Sequence, residues 1–561
     1  MKRRAMILGS AQLAAVTALR GAVPAVLSGI ARRGSGEPVS SQPRAVASSD
    51  QIVWQNLELG MFVHFAPNTW QDVESDNLTT PLSEINPKNL DTDQWAQTAV
   101  SLGAKYLVFV AKHQGGFCMW QTETTDYSIR NTPWRGGHGD VLADVSASCR
   151  KRGLKLGVYV CPRDDHFGAK TGGVCQTPEL QARYDAMYRQ QLTEVLSRYG
   201  ELVEVWFDGS TVTPVSDLLA RYQPHAMVFQ GKSATIRWVG NEDGFAPYPC
   251  WNGMDGAEAR TGTATSLNSD PDGDVWMPNE VDVSIRRPDW FWSTNNANKV
   301  LSLEQLLSVY YCSVGRGAQL LLNIPANREG LLPDPDCAAA SAFGEELRKR
   351  FAKPLAETAG RGLQITLLLG APTRIDTIIL QEEISQGERV RQFRIEGHSD
   401  GQWRTISEGS SIGHKRIQPV ESMIVDQVRI VTTKNVGTPI FRSVSVYRTA
   451  VPPPSGWDAA PRIWAANTVG GWTEGAFSVD LTSKITSAAQ YRLRFVPRAG
   501  TVTGLKDVVL KLHDVPEPNF IQPVKGSPNE LRLDITGVAE TVKLSGRVEG
   551  AANGDILLQK F

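Results

Sequence analysis

Polar residues close successive apolar runs in the first half of this chain. LGMFVHF ends near His64, KYLVFVAKH ends on His113, LKLGVYV carries Tyr159 with Asp164 and Asp165 just beyond it, and EVWFDGS reaches Asp208. A single Asp before Gly is more often a turn former, because it satisfies local backbone donors and tolerates tight turns. A lone histidine is likewise more often a satisfied buried or loop residue than a ligand. Four polar ends in succession need another explanation, and glycoside hydrolysis supplies one: an ionised carboxylate attacks while a second, kept protonated by its surroundings, donates to the leaving oxygen. That second carboxyl must come from another loop. IRWVGNEDG presents Glu242 in a Gly-rich turn, although Glu242 taken alone reads as a solvated loop residue, and Glu280 in MPNEVDV competes with it. No metal is expected, since His64 and His113 lack a third partner at a recognisable spacing.

Such residues must be held by regular elements. From residue 52 onward short apolar runs alternate with helical patterns, as in parallel strands joined by crossover helices. TDQWAQTAVSLG and DVLADVSASCRKRG each place apolar residues on one face and end at Gly103 and Gly153. The clearest helix runs from Pro178 to Gly200, and Ser302 with Gln305 fits a capping box before the last strand, QLLLNIP. No glycine-rich dinucleotide fingerprint follows the first strand, so the repeated units predict a TIM-like (β/α)8 barrel over residues 48–335. In such a barrel the C-terminal strand ends carry the chemistry, which is where the polar residues fall. Beyond Leu331 the sequence turns alternating and β-branched, predicting a β-sandwich over 336–450. After the linker VPPPSG, a second small β domain is expected within 451–561.

The 561 residues carry a formal net charge of −1, which gives no sign of a nucleic-acid partner. Seven scattered cysteines show no CxxC spacing and imply neither a disulfide framework nor a zinc site. Lys2, Arg3 and Arg4 precede AMILGSAQLAAVTAL, a mildly apolar run too short to span a bilayer. The layout reads as a signal peptide of twin-arginine type within a leader over 1–47, with AVA at Ala45 to Ala47 as cleavage residues. An exported bacterial protein, with no membrane attachment after cleavage, is the expectation.

The blocks MFVHFAPNTW, GAKYLVFVAKHQGGFCMWQTETTDYS, RKRGLKLGVYVCPRDD, EVWFDGS, IRWVGNEDG and SVGRGAQLLLNIPAN resemble, in order, the α-L-fucosidases of glycoside hydrolase family twenty-nine. GERVRQFRIEGHSDGQWRTISEGSSIGHKRI is similar to that family's galactose-binding-like sandwich. The resemblance implies a retaining exo-glycosidase without cofactor, acting on fucosylated glycans, with Asp208 as nucleophile and Glu242 as acid/base. RWVGNE resembles the branch that acts on α-1,3- and α-1,4-linked fucose. His64 and His113 match histidines that bind fucose hydroxyls, Glu74, Tyr159 and Trp290 are expected to line the pocket, and Gly209 is expected to leave room for the sugar. Two departures stand out. Gln114 replaces a second sugar-binding histidine, which implies altered hydroxyl recognition, and Ser75 stands where relatives often place Trp. A glycosidase for a related L-sugar such as L-galactose, and a catalytically silent carbohydrate-binding protein, are the alternatives.

Overall fold

The computed structural model describes residues 43–449, 467–485, 489–497, 501–517, 520–523, 528–535 and 541–560. The apolar leader and the VPPPSG linker lie outside the described residues. Eight parallel strands form the first sheet: β1 (Leu59–Val63), β2 (Tyr106–Lys112), β3 (Lys155–Val160), β4 (Leu202–Trp206), β5 (Met227–Phe229), β6 (Arg237–Trp238), β7 (Asn279–Ser284) and β8 (Gln319–Asn323). Their order is β5-β4-β3-β2-β1-β8-β7-β6, and a parallel bridge from Phe229 to Ile236 joins the two ends, giving the (β/α)8 barrel.

The helices begin and end where local chemistry directs. In α1 (Thr92–Leu102) the Asp91 carboxylate accepts from the N–H groups of Asp93 and Gln94, and left-handed Gly103 closes the last turn. The same device brackets α2 (Val141–Arg152) with Asp140 and Gly153. Thr177 caps α3 (Pro178–Arg198), whose first residue is the proline that helix N-termini favour. α4 (Ser216–Tyr222) follows β4, and α5 (Leu303–Cys312) opens on the expected Ser302–Gln305 capping box. Between β5 and β7 the repeat fails. No helix separates β5 from β6, and the long excursion before β7 is organised around a two-stranded antiparallel pair, Gly253–Met254 with Val275–Trp276.

Strands buried on both faces read as continuous apolar runs, and here they serve two cores. Phe62, Tyr106, Val108, Tyr159, Trp206 and Phe229 fill the barrel interior. Phe109, Val158, Val205 and Phe207 face outward beneath Trp95, Leu142 and Tyr188 of the helices. Alternation along β4 therefore sends Trp206 inward and Phe207 outward.

Two expected boundaries move. The border at residues 335 and 336 falls in the first turn of α6 (Asp334–Phe351), whose Ala340 and Phe343 belong to the barrel's outer core. The antiparallel part begins with β9 (Ala356–Arg361). The leader expected over 1–47 also runs into folded structure. Ala45 and Ala47 are buried beside Trp276 and Ile384, and the Ala47 N–H donates to the Ile384 carbonyl at 3.3 Å. A cut after Ala47 would remove both Ala45 and Ala47 from that packing, and with them the bond to Ile384.

β9 joins β10 (Gln364–Glu382), β11 (Val390–Ser399), β12 (Gln402–Gly409), β13 (Arg416–Asn435) and β14 (Ile440–Tyr447) in a six-stranded sheet ordered β9-β14-β10-β13-β11-β12. Register shifts interrupt the long β10–β13 ladder, the device that lets extended strands bend over a core. The Ile417 N–H donates to the Gly315 carbonyl at 3.0 Å, tying this sheet to the barrel. The last domain is a nine-stranded antiparallel sheet with its own core around Trp472, Tyr491, Phe495 and Leu533. Among the described residues no helix is long and apolar enough to cross a membrane.

Candidate active site

A cavity of about 460 Å³ opens at the C-terminal ends of the barrel strands. All seven candidate site residues line it: His64, Glu74, His113, Tyr159, Asp208, Glu242 and Trp290. Phe62, Trp206, Phe229 and Trp238 give it an aromatic wall, and Ser75 and Gln114 also line it.

Asp208 lies two residues beyond the last residue of β4, Trp206. Tyr159 on the neighbouring strand β3 donates its hydroxyl to Asp208 Oδ2 at 2.8 Å. Burial pushes the Asp208 carboxyl up, while hydrogen bonds from Tyr159, Gln114 and the Gly209 backbone, and the charge of Arg163, act the other way. The following turn is fixed from beneath, because the Gly209 and Ser210 N–H groups both donate to Gln230 Oε1, at 2.7 and 3.2 Å. Gly209 has a different reason from the one expected. Its φ is +75°, and a Cβ there would stand 2.7 Å from Thr171 Cγ2, so backbone conformation and the Thr171 loop demand glycine rather than room for a sugar.

The histidines are neutral. His64 is buried and held down to about 3 by desolvation. Its Nδ1 lies 2.8 Å from Asn323 Oδ1, and the Asn323 amide nitrogen donates to the Trp290 carbonyl at 2.8 Å and to Ser284 Oγ at 3.0 Å. Those two acceptors fix the amide orientation, so His64 Nδ1 carries the proton and Nε2 is left as an acceptor. His113 stacks on Tyr159 with ring centroids 5.7 Å apart, and burial depresses it well below the ordinary histidine value. A neutral imidazole at His113 removes the charge-assisted sugar contact that a protonated ring would make.

Glu74 acts through its loop as well as its carboxyl. It accepts the N–H groups of Trp290 at 2.8 Å and Phe291 at 3.3 Å, which brings Trp290 over the cavity, 5.2 Å from the His64 ring. Desolvation raises it to about 7, with Asp289 and Glu242 adding repulsion. Glu242 sits exposed at the rim on a loop pinned by local bonds. Asn241 Oδ1 accepts the Asp243 N–H at 3.0 Å, its amide nitrogen donates to the Phe245 carbonyl at 2.9 Å, and Asp243 pairs with Arg287.

The remaining carboxyls separate by layer. Glu280 is fully buried in the barrel below the cavity, hydrogen-bonded to Glu204 and facing the Tyr106 hydroxyl at 3.4 Å. The Glu204 oxygens accept from the indoles of Trp54, at 2.9 Å, and Trp206. Asp164 pairs with buried Lys112 at 2.8 Å, and Asp165 with Arg163 at 2.8 Å, so neither reaches the cavity lining. Sequence reasoning missed Asp282, which does. Trp238 donates its indole N–H to Asp282 Oδ1 at 2.6 Å, and burial beside Glu242 and Asp208 holds its carboxyl well above the usual range. The signal was present in NEVDVS: Glu280, Asp282 and Ser284 occupy alternate positions of one strand and share the inward face. Among the described residues no group of three or more His, Cys, Asp or Glu side chains is placed to hold a metal ion.

An aromatic-walled cavity at the top of a (β/α)8 barrel, with one carboxyl on its floor and others at its rim, defines a glycoside hydrolase that works with carboxylates. The alpha-L-fucosidase family model matches residues 39–350. Alpha-L-fucosidase 1 of Arabidopsis thaliana is 32% identical over 450 residues, covering 71% of this chain and 87% of its own. Among solved structures, a glycoside hydrolase 29 family member from an unknown rumen bacterium covers 94% of this chain and 100% of its own at 26% identity and TM-score 0.66. A Ruminococcus gnavus GH29 fucosidase in complex with fucose covers 74% and 97% at 26% identity and TM-score 0.65. The chain belongs to the alpha-L-fucosidase family, and its activity is the hydrolysis of α-L-fucosides.

Proposed function

We propose that Asp208 is the nucleophile and Glu242 the acid/base of a retaining double displacement that releases terminal α-linked L-fucose from glycans. The single observation that carries this reading is the placement of Asp208 at the end of β4, on the cavity floor, with donors aimed at its oxygens. In the first step an Asp208 oxygen bonds to the anomeric carbon as the C1–O bond to the aglycone breaks, and Glu242 gives its proton to the departing oxygen. In the second step Glu242 takes a proton from water, which attacks C1 and frees Asp208. Glu242 suits this role because it stands exposed at the rim, where the aglycone leaves, beside Glu74 and Asp282. Glu280 does not suit it, being enclosed beneath the cavity. His64 and His113 bind fucose hydroxyls as neutral partners, and Trp290 covers an apolar face of the sugar.

The substrate is a branched glycan carrying α-1,3- or α-1,4-linked fucose, and the protein is exported, a reading supported by the basic and apolar N-terminal sequence. The test is hydrolysis of aryl glycosides followed by proton NMR. α-L-Fucose should appear as the first anomer, and the corresponding α-L-galactoside should react far more slowly. Initial β-anomer would exclude retention, equal rates would exclude fucose selectivity, and tight fucoside binding without turnover would make the protein a silent binder.

A further inference from the structure

Gln114 occupies a position from which a side chain reaches both the cavity and the loop after β3. Its Oε1 accepts from Arg163 Nη1 at 3.2 Å. Arg163 is clamped in turn by Asp165, through Nε to Oδ1 at 2.9 Å and Nη2 to Oδ2 at 2.8 Å. The two loops are also stitched by backbone, with the Asp165 N–H donating to the Gln114 carbonyl at 2.9 Å and the His166 N–H to the Gly115 carbonyl at 3.1 Å. A guanidinium has five donors and no acceptor, so only the oxygen end of an amide can face it. The Gln114 NH₂ must therefore point away from Arg163, while Gln114 and Asp208 line the same cavity and the Gln114 amide acts to hold the Asp208 carboxyl down.

We propose that Gln114 is a catalytic residue that donates a hydrogen bond to the Asp208 carboxylate, and that Arg163, held by Asp165, is the positioning residue that fixes the amide in the donating orientation. The inference rests on Asp208 being the nucleophile. It also changes the meaning of the Gln114 departure, from altered sugar-hydroxyl recognition to control of the attacking group. The Gln114 donor and the Arg163 charge both favour the ionised carboxylate, against a burial that favours the neutral acid. Other ionisable groups bear on the same carboxylate: Tyr159 from β3, Cys161 just beyond it, and Asp282 from β7, while neutral His113 precedes Gln114 in the chain. None of these carries a positive charge towards Asp208; Arg163 does.

The experiment is the pH profile of kcat/KM for an aryl α-L-fucoside, measured for wild type, Gln114→Leu, Arg163→Met and Arg163→Lys. The acidic limb reports ionisation of the essential carboxylate in the free enzyme. Gln114→Leu and Arg163→Met should each move that limb upward, by about one pH unit, and lower kcat/KM by about 10- to 100-fold, as expected for losing a hydrogen bond to a charged group. Arg163→Lys keeps a cationic donor for the amide oxygen and should leave the limb near wild type. The Arg163 side chain is about a third exposed, so its variants fold even if the cavity resents leucine at 114. A rise in KM with the limb unmoved in both Gln114→Leu and Arg163→Met would overturn the inference and return Gln114 to sugar recognition. A mechanism-based fluorofucoside separates the two readings: an ester on Asp208 with an unmoved limb refutes only the Gln114 role, whereas an ester elsewhere refutes the nucleophile.

Discussion

Glu280→Gln distinguishes a buried structural acid from a catalytic one. Glu280 and Glu204 are both inaccessible to solvent and share a hydrogen bond, which requires a proton between them. Burial raises both carboxyls, and repulsion from Glu204 raises Glu280 further, whereas hydrogen bonds from Glu280, Trp54 and Trp206 hold Glu204 down to about 7. Glutamine can supply the missing N–H to Glu204 and accept from Tyr106, so the exchange should cost about 1 kcal/mol, or about 3 °C in Tm for a domain of this size. Glu280→Ala leaves Glu204 without its neighbour in a new cavity and should cost about 3 to 5 kcal/mol. The pH dependence has a definite sign. For carboxyls whose folded values are raised, the stability contribution is full below the ordinary glutamate range and is lost as pH rises through the raised values. Glu280→Gln removes one of the two groups and should flatten the alkaline decline in Tm. Circular-dichroism melts from pH 4 to 9 measure this, alongside kcat for an activated aryl fucoside and for a fucosylated oligosaccharide, neither of which should change more than about threefold. A stable Glu280→Gln enzyme that loses oligosaccharide hydrolysis while keeping the aryl fucoside would refute the reasoning and move the acid/base role to Glu280.

Glu242→Ala should show that leaving-group dependence itself: little loss in fucosylation by an activated aryl fucoside, then slow deglycosylation, seen as a stopped-flow burst of phenol; equal losses for all leaving groups would remove Glu242 from the mechanism. His113→Ala should lower kcat/KM by about 1 kcal/mol, the worth of a neutral hydrogen bond, and EDTA should have no effect; activity lost to EDTA and restored by zinc would contradict this. Because His64 is held down to about 3 and His113 well below the ordinary histidine value, the pH–rate profile should carry no histidine limb between about pH 5 and 8. His64→Gln should therefore leave the shape of that profile unchanged while raising KM.

The parts of this fold that could be read in the sequence are those whose local signals agree with tertiary packing. The strands before His64, His113 and Asp208 are predominantly apolar runs, and the helices between them carry Asp, Thr and Gly at their ends, so elements and site residues emerge together. β6 is only two residues long and is defined by its neighbours, so no periodicity announces it. Asp282 was hidden because NEVDVS alternates acids with valines, the pattern of a half-solvated strand, whereas here the acid face lines the barrel interior. The helix Asp334–Phe351 was absorbed into the following β region because its apolar stripe is short and largely alanine. The Gln114–Arg163–Asp165 chain joins loops 49 residues apart and could be seen only in three dimensions.

The central claim, that Asp208 attacks the sugar, is tested most directly by trapping the intermediate. The enzyme would be incubated with a 2-deoxy-2-fluoro-α-L-fucosyl donor bearing an activated leaving group, digested, and its peptides sequenced by mass spectrometry. One fluorofucosyl ester is expected, on Asp208 in the segment Glu204–Ser210, and none in an Asp208→Asn enzyme. An ester on Glu74, Glu242 or Asp282, or labelling that persists in Asp208→Asn, would contradict it.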